Sequence, residues 1–394
     1  MVDVVVVGGG ILGAGLLQAC QAHGWMTVGL EARSIAAATS RASSKLIHGG
    51  LRYLETQQFR LVRESLRERR LLRQLAPDLV RLVPFHIPVY RDSTRSPGMI
   101  RAGLSLYALL GGLRAPNRFQ KIPRSQWDRL DGLTTDDLRA VYRYLDGQTD
   151  DAALTRAVIA SAESLGAEFR CPAEFVRSER KGATIEVTVR EGEREEIIET
   201  KALVLAPGPW WEEARARCTP ELPPLPVDLV QGAHLELEGT VDAGIYYLEA
   251  PSDRRPVFVM PWRDRTLVGT TELLRHSPTE CAPSDEEIAY LESVVARYFP
   301  EREIVRRDAW AGCRVLERAT GSANTRSREA VRQVVTAEGT ITLAISGGKL
   351  TGYRSIAVEQ VKTLAEVLPE RAPRARTDEL PLRDPQRTGQ LATG

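Results

Sequence analysis

The chain has 394 residues, a formal net charge of +1 at pH 7 and 43% hydrophobic residues. That length buries a large core and makes two domains the starting expectation, while the near-neutral balance removes any bulk electrostatic case for nucleic acid. Five cysteines, Cys20, Cys171, Cys218, Cys281 and Cys313, lie singly with no C-x-x-C; this indicates neither a metal site nor a redox disulfide and fits a reducing, cytoplasmic compartment.

In chain order, Val4 to Val7 is a short β-branched run, as expected of a strand buried on both faces. Starting it at residue 2 leaves no room for a signal peptide. Gly8, Gly10 and Gly13 follow with G-x-G-x-x-G spacing, then a helical pattern through Leu16, Leu17 and Cys20, a second strand from Met26 to Leu30, and Glu31. In this arrangement Gly8 permits the turn, Gly10 the approach of a pyrophosphate and Gly13 the packing of helix on strand. The helix N-terminus offers free N–H groups to phosphate, and Glu31 can accept from ribose hydroxyls. There is one such fingerprint, and it runs into the small, hydroxylated stretch Ala36 to Ser44. Both features favour FAD over a nicotinamide dinucleotide.

Ser43 to Glu55 reads SSKLIHGGLRYLE, with Lys45, His48, Arg52, Tyr53 and Glu55 around Gly49-Gly50. Such a density of titratable groups beside paired glycines points to chemistry. The role of His48, ligand or loop-ordering hydrogen bonder, stays open.

Phe59 to Ala76 reads as a charged amphipathic helix with Phe59, Val62, Leu66 and Leu75 on one side. Ala102 to Leu113 is apolar between Arg101 and Arg114, too short to span a bilayer, and suits either a core or an interfacial helix. Arg118 to Gly147 reads as irregular. A helix is expected from Asp151 to Gly166, a hairpin from Ala183–Arg190 and Glu195–Thr200, and a buried strand from Ala202 to Ala206. Short strands dominate Val227 to Thr271. Ile341 to Ile345 is a last apolar strand, leading into Ser346-Gly347-Gly348-Lys349 and a helix to about Leu368.

The expected architecture is α/β: a Rossmann-like FAD-binding domain with an inserted, mostly antiparallel α+β substrate domain. Residues 1–80, 145–215 and 335–370 would form the first, 81–144 and 216–334 the second, and 371–394 a proline- and charge-rich tail. A ligand would lie between the domains.

Seven stretches carry a family resemblance: GGGILGAG, ATSRASSKLIHGGLRYLE, GPW (208–210), VFVMPW (257–262), GTTE (269–272), AGCRVL (311–316) and SGGKLTGYR (346–354). They occur in order over almost the whole chain, and the chain thereby resembles the FAD-dependent glycerol-3-phosphate dehydrogenases, whose fold is that of the D-amino-acid oxidases. The resemblance implies oxidation of sn-glycerol 3-phosphate to dihydroxyacetone phosphate, with electrons passing to a quinone or another non-nicotinamide acceptor. It places His234, Arg314 and Lys349 in catalysis. Arg52, Tyr53, Thr271 and Arg328 fall at the substrate, with Arg326 a rival to Arg328. Along the cofactor, with the fingerprint residues, it puts Ala32, Thr39, Ser40, Ser44, Lys45, Leu46, Gly208, Gly348, Lys349, Leu350 and Thr351. It admits a homodimer and peripheral contact with the cytoplasmic membrane face.

The chemistry asks for the same residue types. Oxidising a secondary alcohol needs a proton acceptor, for which an imidazole titrating near neutrality, His234, is suited. A phosphate dianion calls for guanidinium forks such as Arg52 and Arg328. Three positions depart from the family pattern: Pro207 and Gly352 stand where threonines are usual, and Glu272 stands for aspartate. Family members also continue into a C-terminal helical domain of about a hundred residues, within ordinary domain size, which is not found here. An oxidase for an amine or another hydroxy acid on the same fold is the alternative. A single arginine over the flavin would favour a carboxylate, several a phosphate. An inert FAD-binding scaffold would have no need of His234, Arg314 and Lys349 together.

Overall fold

The computed structural model describes residues 1–318 and 329–386, and their strands form two sheets. The first is centred on Val2–Val7, whose last four residues are buried. This strand pairs in parallel with Thr27–Leu30 on one side and with Arg194–Leu205 on the other. Thr340–Gly347 continues the parallel order beyond Ala202–Leu205, and Glu168–Arg170 flanks Thr27–Leu30. Fully buried parallel strands need continuous apolar runs, and the valines and leucines of these segments supply them. The expected hairpin and the strand after it prove to be one element. Arg194–Thr200 turns back on Thr184–Glu191, while Ala202–Leu205 enters the parallel core. The helix Ile11–Ala22 packs against Asp151–Ser164 and Tyr353–Leu364.

The second sheet is mostly antiparallel. Val80–Tyr90 pairs with Leu138–Thr149 along its full length, from Val80↔Thr149 to Tyr90↔Leu138. Val227–Glu238 lies between Arg306–Glu317 and Arg265–Gly269. The irregular reading of 118–147 is thus corrected. Leu138–Thr149 is a twelve-residue strand in which only Arg139 and Arg143 are exposed. Its charges, Arg139, Arg143 and Asp146, disguise that pattern in the sequence.

The helix Phe59–Leu75 buries Val62, Leu66 and Leu75, but Phe59 stands 42% exposed rather than in the core. The apolar segment after it becomes the helix Pro97–Leu110, started by Ser96, whose Oγ accepts from the Met99 N–H. Its inner side answers to the core expectation. Ile100, Leu104, Tyr107 and Ala108 face inward, while Met99, Leu109 and Leu113 just beyond the helix face out. No helix among the described residues is long and apolar enough to cross a membrane.

The expected domain limits shift at three places. Cys218–Thr219 and Ala330–Ala337 join the first sheet, and the Leu138–Thr149 strand carries the second past residue 145. Within the expected tail, residues 371–386 make specific contacts with the rest of the chain. Leu382 is buried with its N–H on the Leu75 carbonyl, Arg156 pairs with Asp384 at 2.7 Å, and Arg371 reaches Asp3 at 3.2 Å. Proline and charge misread it as unanchored, because its anchors are distant in sequence.

Candidate active site

The glycine turn leaves no room for side chains. Gly8 has φ +113°, and a Cβ there would stand 2.3 Å from the Ala206 carbonyl oxygen; at Gly13 it would stand 1.8 Å from that of Gly8. The helix N-terminus and the next strand end meet at this turn. The Ile11 N–H donates to Ser40 Oγ at 2.9 Å, and the Glu31 carboxylate accepts from the Gly9 N–H at 2.7 Å.

From here a cavity of about 620 Å³ runs between the sheets. It is lined by Gly8, Gly10, Glu31, Ala32, Thr39, Ser40, Ser44 and Leu46, then by Gly208, Gly348, Lys349, Leu350 and Thr351, and further by Arg52, Tyr53 and Arg314. Gly13 shapes the turn from behind. Arg33 stacks over the Trp210 ring at 4.4 Å near the Glu31 end. At the other end Lys349 Nζ lies 3.6 Å from the Tyr53 ring centroid, and Arg52 lies 5.9 Å from the same ring. Lys349 follows Gly347 and Gly348, with φ of +80° and +77°, and precedes the helix Tyr353–Leu364.

Three of the expected site residues stand elsewhere. Lys45 turns from the cavity, is 6% exposed and pairs with Asp151 at 2.8 Å, where Ser43 also donates. Thr271 is buried, donating to Glu287 at 2.5 Å; its neighbours Thr270 and Glu272 line the cavity, and its carbonyl accepts from Arg314 Nη2 at 2.9 Å. Alternation of side chains along an extended segment explains the exchange. His234 is 2% exposed, stacked on Trp310 at 4.2 Å and joined to Ser44 Oγ by an Nε2 contact of 2.9 Å. Ser44 lines the cavity, so the imidazole meets it at second hand. Gly269, opposite His234 in the ladder, makes room for the ring. Burial above all, then Lys45 and Arg314, pulls the imidazole well below its ordinary value. The shift favours the neutral imidazole over the imidazolium at this position. Arg326 and Arg328 lie outside the described residues.

His48 lines the cavity. Burial pulls it down to about 4, with Asp146 opposing and Lys349 and Arg52 adding to the shift. Its loop is anchored by residues without any sequence signal. The Gly49 N–H donates to Tyr107 Oη at 2.8 Å, and that hydroxyl donates to Asp146 Oδ2 at 2.5 Å. Asp146 Oδ1 takes Arg69 Nη1 at 2.6 Å. Arg255 was also missed, though it lines the cavity from the end of a loop preceding the VFVMPW strand. Only its position three residues before Phe258, in a matched motif, could have drawn notice.

A glycine turn on a parallel sheet, an acid at the second strand end and a long cavity beneath an antiparallel sheet define a flavin-type oxidoreductase. Residues 3–354 match the model of the FAD dependent oxidoreductases, and the chain belongs to that family. Within it, the chain groups with the glycerol-3-phosphate dehydrogenases. It is 36% identical over 366 residues to one from Pseudomonas aeruginosa, covering 90% of this chain and 70% of that one. With one from Synechocystis the identity is 33% over 414 residues, covering 96% and 73%. A D-erythritol 1-phosphate dehydrogenase of Brucella abortus is 31% identical over 382 residues, covering 93% and 74%. The chain spans about two thirds to three quarters of the length of such relatives, from 66% to 74%. Two solved structures share the fold. The Bacillus halodurans glycerol-3-phosphate dehydrogenase complexed with FAD superposes with TM-score 0.74 at 21% identity, covering 97% of this chain and 68% of that one. The L-α-glycerophosphate oxidase of Mycoplasma pneumoniae with FAD bound does so at 0.74 and 15%, covering 95% and 98%.

FAD is the cofactor of this family, and the residues present fit it. The turn in which a Cβ at Gly8 or Gly13 would collide with backbone is the cradle a pyrophosphate requires, and Glu31 stands where ribose hydroxyls would meet it. Gly208, Leu350 and Thr351 continue the wall to Lys349.

Proposed function

We propose that this chain oxidises sn-glycerol 3-phosphate to dihydroxyacetone phosphate and hands the electrons to a quinone or another non-nicotinamide acceptor. The observation that carries the reading is that Arg52, Arg314, Lys349 and Arg255 all line one cavity, with Glu272 between Arg255 and Arg314. Several fixed cations suit a phosphate dianion; a carboxylate substrate would need one guanidinium. Bound FAD supplies the hydride acceptor. The chain's own residues bind and orient the substrate and receive its hydroxyl proton. In this reading the proton goes to Ser44 Oγ as the Ser44 hydroxyl passes its own to His234 Nε2, 2.9 Å away, which requires the tautomer with the hydrogen on Nδ1.

The reading is tested by recording the visible spectrum of the purified holoenzyme and adding glycerol 3-phosphate without oxygen. Bleaching by this compound, and not by glycerol or lactate, is expected. Bands that stay oxidised would sink the substrate assignment and favour the oxidase alternative.

A membrane-borne acceptor is favoured by one surface. Met99, Leu109 and Leu113 form an exposed apolar strip, each 57–58% exposed, beside Arg101 and Arg114. Apolar residues with flanking arginines suit the interface of an anionic bilayer. The protein is expected to sediment with phosphatidylserine liposomes and to be released by the double substitution Leu109→Ser, Leu113→Ser. Protein left in the supernatant would count against this contact.

A further inference from the structure

Arg255 lies in no segment that the sequence marks as functional, and Glu272 enters only as a longer replacement for aspartate. In the fold they meet. Glu272 Oε2 lies 3.1 Å from Arg255 Nη2, and Glu272 Oε1 lies 3.7 Å from Arg314 Nη1. One carboxylate thus holds two guanidiniums, one on each oxygen, with its side chain 6% exposed. Arg314 is further fixed through Nη2 on the Thr271 carbonyl. All three residues line the cavity.

Arg52 and Lys349 line the same cavity. The Phe258 ring, three residues on from Arg255, contacts Tyr247 at 5.5 Å and His48 at 6.5 Å, and His48 responds to the charges of both Lys349 and Arg52. Arg255 carries a further mark. Its Nε is buried and has no hydrogen-bond acceptor among the described residues. The Nε is too enclosed to meet a ligand; the rest of the side chain, 21% exposed, is what can reach an anion in the cavity. A carboxylate alone at this wall would repel an anion. Tied to two guanidiniums, it leaves the group cationic and sets the spacing of the two forks.

Resting on the reading of the preceding subsection, we propose that Arg255 is a substrate-binding residue that contacts the phosphate together with Arg314. Glu272 is a positioning residue that holds the two as a clamp, selecting a phosphomonoester dianion over a carboxylate.

The test uses the FAD-loaded protein and inorganic phosphate as the probe, followed by perturbation of the flavin spectrum. Arg255→Ala is expected to weaken phosphate binding roughly 30- to 100-fold, as for loss of a hydrogen-bonded charge, with unchanged FAD content and melting temperature. Arg255→Lys, which keeps charge but loses the fork, should fall between. Glu272→Gln should weaken phosphate binding by about tenfold, and Glu272→Asp should do so less. Phosphate affinity within twofold of wild type in both Arg255 variants, or no phosphate binding by the wild-type protein, would overturn the clamp. Phosphate binding that depends on Arg255, without bleaching by glycerol 3-phosphate, would leave the clamp standing and remove only the assigned substrate.

Discussion

Lys349→Met is expected to lower the rate of flavin reduction by glycerol 3-phosphate by about 10²–10³-fold, the range for loss of one preorganised electrostatic contact in an active site, while FAD remains bound. Methionine keeps most of the length and loses only the charge. The side chain starts from a turn in which Gly347 and Gly348 adopt φ of +80° and +77°, so its backbone is set by the fold rather than by the ammonium. The ammonium rests 3.6 Å from the Tyr53 ring centroid, where a cation–π contact orients it before any ligand arrives. It lines the same cavity as Gly208, Leu350, Arg52 and Arg314, so in the proposed reading its charge would act on both substrate and flavin. Rapid mixing under anaerobic conditions would measure the reduction rate, with FAD content taken from the visible spectrum. A rate within threefold of wild type would exclude a catalytic role for Lys349.

Asp146→Ala is expected to cost about 3–5 kcal/mol, the usual loss when one partner of a buried ion pair is removed. Asp146 is 1% exposed, and its partner Arg69 is 3% exposed. Without the carboxylate the guanidinium stays buried, retaining the Leu145 carbonyl and Asn117 as acceptors. Tyr107 loses its acceptor at the same time, and the Gly49 N–H loses a fixed partner. The melting temperature should fall by roughly 4–6 °C on ordinary size scaling. Because Gly49 and Gly50 carry the chain to Arg52 and Tyr53, KM for the substrate should rise as well. Asp146→Asn, which can still accept, should lose less. A melting temperature within 2 °C of wild type for the alanine variant would show that the network contributes little.

The parts of this protein that were legible in its sequence are those in which backbone geometry dictates residue type. A glycine whose Cβ would meet a carbonyl oxygen can only be glycine, so Gly8 and Gly13 announce the turn, and a doubly buried parallel strand must be apolar throughout. What could not be read is which way a side chain points when distant pairing decides it. Lys45 stands in the motif richest in titratable groups, yet Asp151, 106 residues on, draws it away from the cavity. His234 has the residue type of a base, but Trp310 and Gly269 on neighbouring strands place it behind Ser44. Thr271 and its neighbours exchange faces for want of a known register. Asp146 and Arg255 resemble the many other charges of the chain until the sheet brings Tyr107 and Glu272 to them.

The order of strands in the first sheet also bears on how the protein is made. Val4 has Thr27 on one side and Ala202 on the other, and Ala202 in turn has Ile341. The glycine turn fitted to a pyrophosphate is synthesised well before the strand Thr340–Gly347, which pairs with Ala202–Leu205 in the sheet supporting it. Contacts so distant in sequence make closure slow and leave apolar edges open meanwhile. The nascent chain therefore carries its cofactor signature long before it can hold the cofactor.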